Sequence, residues 1–389
     1  MRRREFLKAL PAVASVARLR GARIKITDVR NVPLKVVKDL GSYPDWVGNP
    51  RAIKIGGGSF CEIHSDQGLV GIGPPIGEAQ LAAVKTLLVG TDPFDVDLHA
   101  QRLYDMNGSG RTTTGAEIAI WDLIGKAANQ PLYKLWGGGR NKVIPYSSML
   151  RLSTIEERAD IAVKLKGEGW KAIKYRCSFP TMKEDIRLVE AARKAVGDDF
   201  AIMCDANKAT LNYSSTKGIP WDFTRAVTTA REYQRMNVYW LEEPFERYDY
   251  DDLAELNREI DMKLAGGEGN RGVHEFRTLL ERGCFDIVQP EVMLEGPTHL
   301  RKVAVIAESM NRMCIPHVGD SRLGTICDLH LVASWPNAPY LEIFNDKPIG
   351  NYEYPFAIFE NPVTLDKDGY FNLPQGPGLG ITINKEFIA

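Results

Sequence analysis

Three acidic residues stand at the ends of short apolar runs in the middle of the chain: Asp205, Glu242 and Glu268. The intervals between them are 37 and 26 residues, and each leaves room for one loop, one helix and one strand. Carboxylate oxygens are hard ligands, which favour Mg²⁺ over Zn²⁺. The spacing therefore predicts a divalent metal site built by three successive strand ends.

Four further polar residues continue this pattern at a similar pitch. Lys174 precedes the first acid by 31 residues, and after the third acid the intervals are 23, 26 and 25 residues to Glu291, His317 and Glu342. Polar strand ends gather catalytic groups at the C-terminal rim of a (β/α)₈ barrel, whereas buried polar residues without partners are destabilising. The chain is therefore predicted to form an α/β barrel of the TIM-like kind.

Local motifs around these positions resemble the enolase superfamily, in its mandelate racemase and muconate lactonizing enzyme-like branch, and within that branch the acid-sugar dehydratases. The resemblance covers nearly everything after the N-terminal segment. It rests on an ordered set of motifs: Asp205-Ala206-Asn207, Glu242-Glu243-Pro244, Gly267-Glu268, Pro316-His317, and the helix and Gly-rich turn over residues 115–126 and 135–138. The family fold implies an α+β capping domain, built from the N-terminal region and the C-terminal tail, beside the barrel.

The domain organisation is predicted on this basis. Residues 22–140 form the N-terminal part of the capping domain, residues 141–349 form the barrel, and residues 350–389 return to the capping domain. Strands are predicted over residues 23–37 and 59–65, from their branched residues, and helices over about 77–139.

Residues 1–21 have a basic start at Arg2-Arg3-Arg4, a modest apolar stretch and small residues suited to cleavage. This order resembles a twin-arginine export signal and predicts a periplasmic or exported protein. The alternative is a disordered basic tail on a cytoplasmic enzyme.

Composition limits the partners. The chain has 389 residues, of which 44% are hydrophobic and 25% charged, and a net charge of −1. This charge supplies no long-range attraction for nucleic acid or an anionic membrane, and no apolar run of the mature chain is long enough to span a bilayer. The expected partner is a small-molecule carboxylate, and a homo-oligomer is expected.

The second barrel unit shows how a strand delivers its functional residues. Ser153 and Glu156 are predicted to cap the helix that precedes the strand. The strand then carries Lys174 and Arg176 on one side, where they suit a substrate carboxylate, and Tyr175 on the other. Tyr175 is retained as a substrate-binding candidate because strand ends twist and tyrosine can relay protons.

The resemblance implies proton abstraction from the carbon beside a carboxylate, with Mg²⁺ held by the three acids and His317 as the base. Glu291, where relatives have aspartate, would orient His317. Asn207 and Glu342 match positions that touch the substrate and its developing oxyanion. Trp46, in a loop over residues 38–58, is predicted to cover the site.

Arg176 occupies a position where racemases of the family have a second lysine. Since a guanidinium stays protonated, two-base racemisation is disfavoured. The prediction is a Mg²⁺-dependent dehydratase, a lyase that converts a sugar acid or another 2,3-dihydroxy acid into a 2-keto acid in carbohydrate acid catabolism. The alternatives are a racemase or epimerase that uses Lys174 and His317, and a non-catalytic exported carboxylate-binding protein.

Overall fold

The computed structural model describes residues 23–107, 112–177, 179–209, 220–347 and 350–389. The predicted export signal, residues 1–21, lies outside these described residues. Within them, every helix is too short or too polar to cross a membrane.

Five strands open the described chain: β1 (Ile26–Pro33), β2 (Val36–Pro44), β3 (Pro50–Gly56), β4 (Ser59–Ser65) and β5 (Val70–Gly73). Strands β1, β4 and β5 form an antiparallel sheet, and β2 pairs with β3 in a separate hairpin. The prediction of a loop over residues 38–58 is therefore wrong in part, because most of these residues form the β2–β3 hairpin. Gly56, Gly57 and Gly58 follow the hairpin with φ of 81°, 75° and 72°, a left-handed backbone that glycine adopts without steric penalty.

Four helices complete the N-terminal part of the capping domain: α1 (Glu78–Leu88), α2 (Val96–Asn107), α3 (Thr114–Ala127) and α4 (Leu132–Leu135). Helix α3 is buried along most of its length. Its Asp122 carboxylate accepts hydrogen bonds from the backbone N–H of Ile72 at 2.8 Å and of Leu379 at 2.7 Å. One buried acid thus joins the capping sheet, α3 and the C-terminal tail.

Eight parallel strands form the barrel sheet: β6 (Lys142–Ser148), β7 (Ala172–Arg176), β8 (Ala201–Asp205), β9 (Val238–Glu242), β10 (Lys263–Gly266), β11 (Ile287–Val288), β12 (Met313–Cys314) and β13 (Tyr340–Phe344). Each pairs with its neighbour in sequence from β6 to β12, and β13 returns to pair with β6. A hydrogen bond from the N–H of Cys314 to the carbonyl of Asn337 draws the two ends together. The predicted α/β barrel with a capping domain is confirmed.

Seven helices connect the strands on the outside: α5 (Ile155–Gly167), α6 (Met182–Val196), α7 (Phe223–Arg235), α8 (Tyr250–Glu259), α9 (Gly272–Glu281), α10 (Val292–Ser309) and α11 (Leu323–Ser334). The predicted cap of α5 is one residue too early, since Thr154 caps this helix by accepting from the N–H of Glu157 at 3.2 Å. A complete capping box occurs instead at α6, between Thr181 and Glu184.

The C-terminal tail contacts both parts of the molecule. It contains α12 (Glu353–Phe356), β14 (Phe371–Asn372) and a 3₁₀ turn over Lys385–Phe387. Strand β14 pairs with β6 of the barrel, and Ile388 forms a bridge with Leu34 of the capping domain.

Candidate active site

A buried layer of seven side chains fills the barrel interior and sets the direction of the residues above it. The layer contains Tyr146, Ala172, Met203, Trp240, Ala265, Ile287 and Ile315. Because side chains alternate along a strand, the residue two positions later faces the same way. These later residues at the rim are Ser148, Lys174, Asp205, Glu242, Gly267, Gln289 and His317.

Lys174 lies at the centre of a buried charge network. Its Nζ is 2.7 Å from Oε1 of Glu242, 3.0 Å from Oε1 of Glu342 and 3.6 Å from Oδ2 of Asp205. Burial lowers the pKa of Lys174, but the carboxylates of Glu242 and Glu342 outweigh it and hold this pKa above its ordinary value. Lys174 is therefore held as a cation in this arrangement, and its use as a base stays a prediction.

Arg176 lies beside Lys174 and contacts several neighbours. It forms an ion pair with Asp205, donates to Oδ1 of Asn207 at 3.2 Å, and donates from Nε to the carbonyl of Met149 at 3.0 Å. Its guanidinium carbon is 4.6 Å from the ring centroid of Trp46. The structure therefore brings Trp46, from the turn of the β2–β3 hairpin, over the cationic side of the site.

Two residues at the rim have a left-handed backbone that is uncommon for residues other than glycine. Asn207 has φ of 50° and Glu243 has φ of 45°. The turn lets Asn207 donate its own N–H to Oδ1 of Asp205 at 2.8 Å and its side-chain Nδ2 to Oδ2 at 3.0 Å. Such conformations store strain and cluster at functional sites.

Glu243 is buried and carries an oxygen, Oε1, without a hydrogen-bond donor among the described residues. Burial raises the pKa of Glu243 well above its ordinary value, and the nearby carboxylates of Glu268, Asp205 and Glu242 raise it further. Four acids therefore face one another at this part of the rim, which is a site of concentrated negative charge.

Gln289 is a rim residue that was not predicted from the sequence. Its Nε2 donates to Oε2 of Glu242 at 2.9 Å, and Nε1 of Trp240 donates to the same oxygen at 3.0 Å. These two donors fix the orientation of the Glu242 carboxylate. The position of Gln289 two residues after inward-facing Ile287 is the signal that would have found it.

His317 stands across the rim between two carboxylates. Its Nδ1 is 2.6 Å from Oε2 of Glu291 and its Nε2 is 3.1 Å from Oε2 of Glu268. Burial lowers the pKa of His317, but the charges of Glu268, Glu342 and Glu291 outweigh it and raise this pKa to about 10. The glutamate in place of the family aspartate therefore reaches Nδ1 of the imidazole.

Glu342 lies between Lys174 and His317. Its Oε2 accepts from the N–H of Val318 at 3.1 Å. Burial raises the pKa of Glu342, but Lys174 and His317 outweigh it and lower this pKa to about 2. A carboxylate that stays ionised accepts hydrogen bonds only, so in this arrangement Glu342 orients Lys174 and cannot donate to an oxyanion.

Tyr175 is not brought to the site. It is fully buried on the opposite side of β7, where its hydroxyl donates to the carbonyl of Arg158 at 3.1 Å. Strand alternation at this position is not overcome by twist, so the substrate-binding role predicted for Tyr175 is contradicted.

The carboxylates fit a hard cation in chemistry, and their strands place them on one part of the rim. Asp205 and Glu242 are partners in register on β8 and β9, and Glu268 follows β10. Gly267, with φ of 112°, breaks the strand alternation just before Glu268. Among the described residues no three acidic, histidine or cysteine side chains form a complete metal cage. Lys174 and Arg176 occupy oxygens of Glu242 and Asp205 instead, so the same charges are balanced by the protein's own cations.

Two family models match the chain in the order of its domains. The model "Enolase C-terminal domain-like" matches residues 156–387, and "Mandelate racemase / muconate lactonizing enzyme, N-terminal domain" matches residues 59–137. The chain belongs to the enolase superfamily. The resemblance identified in the sequence is therefore confirmed. The N-terminal match begins at residue 59, where β4 of the capping domain starts.

Individual relatives within the enolase superfamily differ in reaction. The chain is 31% identical to arabinonate dehydratase of Saccharolobus solfataricus, over 69% of each chain. It is 30% identical to 3,6-anhydro-alpha-L-galactonate cycloisomerase of Streptomyces coelicolor, over 77% of this chain and 79% of that one. A solved structure of L-talarate dehydratase from Polaromonas sp. JS666, in complex with Mg and L-glucarate, is 27% identical with a TM-score of 0.74, covering 93% of this chain and 96% of that one.

One buried acid behind the site supports a prediction on stability. Asp328 of α11 is fully buried, neither carboxylate oxygen has a donor among the described residues, and burial and the charge of Glu291 raise its pKa well above the ordinary value. A raised native pKa means that the native state binds the extra proton, so stability falls as pH rises above about 4. Asp328→Asn is expected to remove this pH-dependent loss. The gain in the free energy of unfolding at high pH should be about 1–3 kcal/mol, the cost of a buried unsatisfied group.

The measurement is the melting temperature at pH 5 and at pH 8. The difference between the two should be smaller for Asp328→Asn than for the wild type, whereas Asp160→Asn, on the exposed face of α5, should behave as the wild type does. An equal change in melting temperature between pH 5 and pH 8 in all three proteins would contradict a destabilising role for ionised Asp328.

Proposed function

We propose that this protein is a Mg²⁺-dependent dehydratase of a sugar acid or a related 2,3-dihydroxy acid, which it converts into a 2-keto acid. One observation carries the proposal. His317, oriented by Glu291, faces the rim from one side with its Nε2 beside Glu268, while the other side holds Lys174 and Arg176 in ion pairs with buried carboxylates. The site therefore offers an imidazole on one side of a substrate and two fixed cations on the other.

Asp205, Glu242 and Glu268 would hold Mg²⁺, which when bound supplies positive charge to stabilise a substrate carboxylate as its charge grows. The bound Mg in the L-talarate dehydratase relative supports this cofactor. The buried orphan oxygen of Glu243 and the all-oxygen donor set support it from this chain's own residues.

The remaining steps are assigned to side chains. The pKa of His317 would fall once the charge of Glu268, the largest cause that raises it, is taken up by Mg²⁺. Nε2 of the neutral imidazole then takes the proton from C2, while Nδ1 faces Glu291. The C2–H electron pair forms a double bond to C3 as the C3–O bond breaks, and the imidazolium returns the proton to the leaving hydroxyl, which departs as water. The enol then tautomerises to the 2-keto acid. Arg176 and the indole N–H of Trp46, which lacks an acceptor among the described residues, orient the substrate.

A racemase or epimerase is the second candidate, because Lys174 and His317 both border Glu342 from different strands. Its second base would have to be Lys174, which is buried and lies within 3.6 Å of three carboxylates, because Arg176 stays protonated.

The test is incubation with a panel of sugar acids and Mg²⁺ in D₂O, followed by proton NMR and by a colour reaction for 2-keto acids. Formation of a keto acid with loss of one water is the expected result. Deuterium exchange at C2 without loss of water would favour the racemase. Binding of an acid with neither change would overturn catalysis and favour a carboxylate-binding protein.

A further inference from the structure

A cavity of about 280 Å³ lies between the β2–β3 hairpin and the barrel. Its walls come from the hairpin, the barrel and residues 350–355 of the C-terminal tail. They include Tyr43, Lys54, Leu150, Ser321, Arg322 and Phe344. We name this cavity the distal pocket. Its size suits a small polar group with a short carbon chain rather than a whole ligand.

The distal pocket adjoins the proposed reaction centre. Phe344 is two residues after Glu342, on the same side of β13. The Phe344 ring is 6.4 Å from the imidazole of His317, measured between centroids. A substrate held with C2 beside His317 can therefore extend its far end past Phe344 into the pocket.

Positive charge dominates the pocket lining. Lys54 and Arg322 both line it, and none of the described lining residues is an aspartate or glutamate. Arg322 is fixed in place, since its two terminal nitrogens donate to the carbonyls of Gly57 at 2.7 Å and Gly56 at 2.8 Å. A guanidinium has five N–H donors, so these two bonds leave donors for a ligand.

Lys54 is available for a ligand as well. Its nearest acid is Asp39, with 3.8 Å between Nζ and Oδ2, and both side chains are about half exposed or more. Exposed ion pairs of this length contribute little, so an incoming carboxylate competes easily. Tyr43, Leu150 and Phe344 supply apolar walls that exclude water and strengthen such a contact.

We propose that the distal pocket binds a second carboxylate, so that the substrate is a dicarboxylic sugar acid and Lys54 and Arg322 determine this specificity. The inference rests on the proposed function for the identity of the first carboxylate's site. It goes beyond that function because it names the group at the far end of the substrate. A monocarboxylic sugar acid would place an uncharged hydroxyl beside Lys54 and Arg322, whereas a dicarboxylic acid places a second carboxylate there.

The test compares two pairs of acids that differ only at the far end: galactarate with galactonate, and glucarate with gluconate. For the wild type with Mg²⁺, kcat/KM is expected to be on the order of 10- to 100-fold higher for the better diacid than for its monoacid, as for a hydrogen-bonded charge. Lys54→Met should reduce this ratio by about 10-fold, mainly through KM. Lys38→Met, on the exposed part of the same hairpin, should keep the wild-type ratio.

Calorimetric binding of the same four acids separates this inference from the proposed function. If no acid is dehydrated, the proposed function fails, and tighter binding of a diacid that weakens in Lys54→Met still supports the distal pocket. If monoacids are dehydrated as well as diacids or better, the distal pocket assignment is overturned while the dehydratase stands. Equal loss for both acids of a pair in Lys54→Met would also overturn it.

Discussion

Replacement of His317 by asparagine is expected to lower kcat by about 10²- to 10⁴-fold, the range for loss of a general acid–base group. The expectation follows from the position of the imidazole, with Glu291 on Nδ1 at 2.6 Å and Nε2 directed to the rim. Proton exchange at C2 in D₂O should fall together with keto-acid formation, because the same nitrogen begins both. The measurement is NMR of the best substrate from the panel, with KM determined in parallel.

His64→Asn is the matched control, because His64 lies on β4 of the capping domain and bonds to Glu62. It should retain the wild-type rate. Retention of C2 exchange in His317→Asn, with loss of keto-acid formation alone, would contradict His317 as the base and leave it only the departure of the hydroxyl.

Replacement of Glu268 by glutamine is expected to weaken Mg²⁺ binding by at least about 100-fold and to remove turnover at ordinary Mg²⁺ concentrations. Glu268 is the most suitable acid for this test. Its side chain is 20% exposed and its ion pair is with His317, so the barrel should fold without it. Titration calorimetry with Mg²⁺ measures the affinity independently of activity.

A second readout follows from charge. Glu268 contributes to the raised pKa of His317, about 10 in the protein without metal, so Glu268→Gln should lower this pKa, as followed by NMR of the imidazole. Glu281→Gln, at the exposed end of α9 with Arg277 as its partner, should change neither quantity. Unchanged Mg²⁺ affinity in Glu268→Gln would reject Glu268 as a ligand.

Spacing along the chain predicted the barrel and the strand ends, because a repeated unit of strand, loop and helix fixes where the chain returns to the rim. Gln289 and Ser148 were not predicted, because the spacing pattern begins only at Lys174 and names Glu291 for the sixth strand end. Both follow an inward-facing apolar residue by two positions. The alternation of side chains within a strand indicates which residues face the barrel interior, and the spacing between strands does not.

Other differences arise from contacts that no local pattern contains. Residues 38–58 are rich in polar residues, glycine and proline and were predicted as a loop, yet pairing of β2 with β3 orders most of them. Trp46 reaches Arg176 only because the hairpin folds over the barrel. The charge state of Glu342 depends on Lys174, which is distant in sequence, so its role could not be read from its own neighbours.

The bridge between Leu34 and Ile388 joins residues separated by 354 positions (388 − 34). Nearby, the N–H of Lys35 donates to the carbonyl of Phe387 at 2.7 Å. At about 5–20 residues per second, a ribosome that has made β1 needs on the order of a minute or less to supply its last partner. The nascent barrel can therefore assemble first, and the capping domain acquires its final contacts late, with the high contact order that slows folding.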